Sequence, residues 1–130
     1  MPGYVYIMKK NRRDAHAKAT FQYQYKIGIA TNPNKRHKQV NRAVAGGVRL
    51  IAVYWFINPR KVEQKLHREF YKSRHTLRRA KKGAGKTEWF YLNPLERSFL
   101  SWRLFWLNNR ILIFGLVFCY LLITSILLWK

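Results

Sequence analysis

Residues 25–36, YKIGIATNPNKR, decide how this chain is to be read. The first half alternates as a strand does, TNPN is a turn, and NKR opens a basic helix. Successive strand residues point to opposite faces, so Tyr25, Ile27 and Ile29 lie with Tyr23, while Lys26 lies with Gly28 and Ala30. The first set is apolar and belongs to a core. The second places small residues beside one cation, which suits the close approach of a phosphate backbone.

Upstream, residues 4–9 read as a strand with Val5 and Ile7 on one face, and residues 11–19, NRRDAHAKA, read as a polar loop. A strand over residues 20–30 then pairs with the first as an antiparallel hairpin. Downstream, the spacing predicts a helix over residues 34–45 closed by Gly46 and Gly47, then a strand over residues 48–57, VRLIAVYWFI. In NPRKVEQKLHREFYKS, residues 58–73, Asn58 is the N-cap and Pro59 opens the helix. Val62, Leu66 and Phe70 recur there at four-residue spacing as a core stripe. A basic loop leads to the short strand EWFYL, residues 88–92. The order β-β-α-β-α-β predicts an α+β domain over residues 1–94, a small mixed or antiparallel sheet flanked by helices.

Charge is unevenly spread. Residues 1–93 carry 22 Lys and Arg against four acids, a net +18, whereas the last 37 residues carry four against one. Such an excess in a small domain implies a polyanionic partner, nucleic acid or an anionic lipid surface. The lone Cys119 excludes an intramolecular disulfide and any zinc site built on several cysteines. The opening MPGYVYIMKKNRR has no apolar run of the secretory-signal kind.

The C-terminal stretch reads differently. Residues 111–129, ILIFGLVFCYLLITSILLW, contain no charge, and a helix of that length rises about 28 Å, close to the hydrocarbon thickness of a bilayer. Arg110 and Lys130 bracket it, with Trp102, Trp106 and Trp129 near the expected interfaces. Residues 110–130 therefore read as a transmembrane anchor, and residues 95–109, LERSFLSWRLFWLNN, as an amphipathic helix at the interface. With nearly all the basic charge ahead of the span, the positive-inside rule places the N-terminal domain in the cytoplasm.

GYVYIM at residues 3–8, KIG at residues 26–28, an arginine eight residues after that glycine, and a glutamate on the next helix form an ordered set. It resembles the GIY-YIG nuclease superfamily, and within it the phage-type branch whose second motif reads KIG and whose end reads EWF. The resemblance covers residues 3–92 and implies metal-dependent hydrolysis of phosphodiester bonds. It assigns Tyr6 to activating the attacking water, Arg36 to the phosphate, and Glu63 to one divalent cation, Mg²⁺ or Mn²⁺, with His67 one turn further on contacting substrate or orienting a water. The second-motif tyrosine is replaced by Lys26, which would orient or stabilise the scissile phosphate or else serve as one basic side chain among 26. The superfamily's late asparagine has no clear counterpart, leaving Asn93 and Glu88 as second-rank candidates.

Around this set, Gly28, Lys35, Lys38 and Arg42, together with Arg78, Arg79, Lys81 and Lys82 of the basic loop, are expected to meet the nucleic-acid backbone. AKKGAGKT, residues 80–87, fits a permissive phosphate-loop pattern, but the EWFYL strand follows where such a loop needs a helix. The sequence thus leads to a membrane-anchored DNA endonuclease at the cytoplasmic face, acting on incoming foreign DNA. A catalytically inactive nucleic-acid tether of the same fold and a lipid-surface role stand as the alternatives.

Overall fold

A computed structural model describes residues 1–70 and 89–129. The elements run β1 (Gly3–Lys10), α1 (Ala15–Ala19), β2 (Tyr23–Ala30), α2 (Pro33–Ala43), β3 (Val48–Phe56), α3 (Pro59–Glu69), β4 (Trp89–Leu92) and α4 (Pro94–Leu128). The strands form one sheet in the order β3-β1-β2-β4, and each neighbouring pair is antiparallel. The α+β architecture expected from the sequence is present.

β1 is central, and both its faces are covered. Val5 and Ile7 enter a large core with Tyr25, Ile27, Phe56 and Phe90, closed by Leu66 and Phe70 around α3 and by Leu100 and Leu104 of α4. Tyr6 and Met8 point the other way, into a smaller core with Val40 of α2, Val48 and Trp89. The sheet is therefore sandwiched between α2 on one side and α3 with α4 on the other. A bulge in β3 leaves Ile51 opposite no residue of β1, where Ile7 pairs with Ala52 and Met8 with Leu50.

Three helices start on the same Asn-Pro device. Asn32, Asn58 and Asn93 each accept a hydrogen bond from the backbone three residues on, and Pro33, Pro59 and Pro94 occupy the first turn. At α4 the cap is reciprocal, because Glu96 accepts from the Asn93 backbone at 2.7 Å. The Asn93 amide oxygen thus serves as a helix cap. The turn after α2 requires positive φ at Gly46 (+82°) and Gly47 (+76°), which glycine adopts without steric cost.

Two segments differ from their sequence reading. Within residues 11–19 a helix, α1, replaces the expected loop; Asp14 caps it by accepting from Ala17 at 2.8 Å, and Ala17 is fully buried. Five residues are too few for a helical period to show. Residues 95–109 belong to the same unbroken helix as the apolar run that follows, with Leu100 and Leu104 facing the core and Phe99, Trp102 and Phe105 exposed. Arg103 binds Glu69 through two nitrogens at 3.0–3.2 Å, joining α4 to α3. The C-terminal part of α4 is long and apolar enough to cross a membrane, and its apolar window is not buried among the described residues.

Candidate active site

The site grows from the pairing of β1 with β2. Tyr6 lies opposite Gly28 on one side and Val53 on the other. Its ring occupies the space over Gly28, where a Cβ would come within 2.5 Å of the phenol oxygen. The glycine therefore seats the tyrosine. The expectation that Gly28 leaves room for a phosphate backbone needs correcting, because the phenol fills that room.

Arg36 reaches the same point from the first turn of α2. Its Nε donates to the Tyr6 hydroxyl at 3.5 Å, and its Nη1 donates to Gln39 at 3.4 Å. The Asn32 cap and Pro33 fix where α2 begins and hence where the guanidinium falls. Tyr6, Gly28 and Arg36, singled out separately in the sequence, thus meet in one place. Lys35, Lys38 and Arg42 lie exposed along α2 beyond them.

Lys26 is on the same face of β2, one alternation before Gly28, between Met8 and Trp89 across the sheet. It is 2 % exposed, with Nζ 5.8 Å from the centre of the Trp89 ring. Lys10 stands over the same ring at 4.7 Å, and burial draws its pKa below the usual lysine value. Trp89 was noted in the sequence only as part of a strand. The register that sets it across from Lys26 is its only signal.

Glu63 and His67 come from α3, along the edge of β2 that β4 leaves unpaired. β4 pairs with β2 only as far as Lys26, and at the next residue His67 takes over: its Nε2 lies 3.0 Å from the Ile27 carbonyl. A carbonyl only accepts, so Nε2 carries the proton. The imidazole also meets Phe90 edge to face at 5.1 Å. His67 is therefore a strut between α3 and β2.

α3 runs back along β2, since Pro59 at its start contacts Gly3 beside Ala30 and His67 meets Ile27. Glu63, one turn before His67 on the same helical face and half-buried, is thereby placed alongside residues 28–30. Three other acids hold structural posts: Asp14 caps α1 and accepts from Tyr91, Glu69 pairs with Arg103, and Glu96 closes the cap of α4. Among the described residues no cluster of three or more His, Cys, Asp and Glu could hold a metal by protein ligands alone. A single carboxylate is still an adequate Mg²⁺ donor when water and substrate oxygens supply the rest.

Arg78, Arg79, Lys81, Lys82 and Glu88, together with the loop over residues 80–87, lie outside the described residues. Trp102 is exposed and stacks on Trp106 at 6.4 Å, Arg110 is exposed just before the charge-free run, and Trp129 is exposed at the far end of α4. A family model, the T5orf172 domain, matches residues 3–107, from the start of β1 into α4. No curated protein and no solved structure matches the chain.

Proposed function

We propose, on the premise that the chain belongs to the T5orf172 domain family, a phage-associated family related to nucleases, that it is a metal-dependent DNA endonuclease of the GIY-YIG type. The observation that carries this reading is the seating of Tyr6 over Gly28 with Arg36 donating to its hydroxyl. Gly28 gives the phenol a fixed place. In its phenolate form the oxygen, held by Arg36, would take the proton of an attacking water and become the neutral phenol.

In this reading the water attacks the phosphorus, the P–O bond to the leaving sugar oxygen breaks, and Arg36 offsets the charge that grows on the phosphoryl oxygens. Glu63 would hold the divalent cation, Mg²⁺ or Mn²⁺, which when bound supplies Lewis-acid stabilisation of a phosphate oxygen. His67 acts as a positioning residue, keeping β2 and α3 in register beside Gly28. Lys26, buried on the site face, adds positive potential beneath the phosphate. Lys35, Lys38 and Arg42 on the exposed side of α2 hold the DNA backbone without regard to sequence.

α4 would anchor this domain, with the positive-inside rule setting it in the cytoplasm. A nuclease so placed would act on DNA near the membrane, including foreign DNA as it enters. The test is nicking of supercoiled plasmid by the full-length protein in detergent with Mg²⁺. Tyr6→Phe and Glu63→Ala are each expected to slow nicking by roughly 100-fold or more. Nicking that survives Glu63→Ala unchanged would show that this is not the active site.

A second reading, nucleic-acid binding without cleavage, is favoured by Lys26 standing where the related nucleases have tyrosine and by its burial. It predicts salt-sensitive binding and no metal-dependent cutting in the same assay.

A further inference from the structure

We propose that the protein has a binding site for the phosphate headgroup of an anionic phospholipid where its soluble domain meets α4. The proposal rests on the reading of α4 as a membrane span. Leu100 and Leu104 fix the first half of α4 in the core, while the charge-free run begins at Ile111, so the bilayer surface falls near Arg110.

The end of β3 lies at that same level. Trp55, near the end of β3, and Ile57, just after it, are 50 % and 72 % exposed. They line a cavity of about 500 Å³ between the β3–α3 junction and α4. Lys61 and Lys65, one helical turn apart on α3, share its wall with Arg110 and Ile111. Three cations and no carboxylate line the cavity among the described residues.

This combination fits a lipid better than a nucleic acid. Exposed apolar side chains at the rim would lie among acyl chains, where a nucleic-acid backbone would offer only charged and polar groups. Lys61, Lys65 and Arg110 line the same cavity and supply the positive charge a headgroup phosphate needs. The basic side chains of α2 occupy the opposite face of the sheet, since Val40 packs in the smaller core and Leu66 in the larger. The two cationic surfaces therefore need not compete for one ligand.

Full-length protein in nanodiscs of mixed phosphatidylglycerol and phosphatidylcholine tests the site by native mass spectrometry of the retained lipid. Wild type is expected to retain phosphatidylglycerol preferentially, and Lys61→Gln with Lys65→Gln to lower that preference roughly 10- to 30-fold. Lys38→Gln with Arg42→Gln should leave it unchanged. The first pair leaves α4 untouched, so carbonate extraction reads the span separately. Release of wild type by carbonate would overturn the span and the proposal with it. Retention in the membrane with an unaltered lipid preference in the Lys61 and Lys65 variant would overturn the proposal alone. So would loss of oligonucleotide binding in that variant with lipid preference intact, which would assign the cavity to nucleic acid.

Discussion

Gly28 is the residue whose replacement separates packing from chemistry. In Gly28→Ala the new methyl meets the Tyr6 phenol at 2.5 Å, so the ring must move. The expected cost is about 1–3 kcal/mol of stability, seen in thermal denaturation, with nicking lost because the phenol is displaced. Tyr6→Phe keeps the ring over Gly28 and removes only the hydroxyl, so nicking should fall while the melting temperature changes little. Arg36→Lys keeps the charge but loses the planar fork, and is expected to restore less than a tenth of wild-type nicking. Part of this was legible in the sequence: strand alternation separated Tyr25, a core residue, from Lys26 on the site face. What alternation could not give was the occupant of the space over Gly28. That depends on register with β1, which a single strand's sequence does not state.

Among the elements, α4 carries the most consequence for stability. Its first half covers Leu66, Phe70 and Phe90, so a chain ending at residue 94 is expected to aggregate, whereas one ending at residue 109 should stay folded and soluble. Size-exclusion chromatography of the two checks this. Leu104→Ala should cost about 2–5 kcal/mol, as other fully buried leucines do. The apolar character of residues 95–109 was plain in the sequence, but periodicity reports an apolar face without naming what covers it. α1 was not legible at all, being held by a cap and by the Tyr91 hydroxyl donating to Asp14 across 77 residues. That bond has a pH signature. Burial, then the Asp14 contact, raise the Tyr91 pKa above its ordinary value of 10.0. The resulting stability is full below about pH 10 and is lost as pH rises through the folded value. The melting-temperature gap between wild type and Tyr91→Phe should therefore be open at pH 7 and shrink above pH 10.

For the whole molecule, charge and orientation are the quantities that matter. Binding to DNA should weaken steeply with salt, and replacing Lys35, Lys38 and Arg42 with Gln should reduce the log–log slope by roughly 0.9 for each phosphate contact removed. Fluorescence anisotropy over a salt series reads it directly. α4 leaves the domain as a continuous helix, capped at Asn93 and clamped by Arg103 to Glu69, with no proline after Pro94 and no glycine before Gly115. No break in α4 separates the part that packs on the sheet from the charge-free run. With α4 in a bilayer, the scissile position would stand at a constant height above the headgroups. Such a protein surveys an area instead of a volume. Its rate would then follow how much DNA lies in one thin layer above the headgroups.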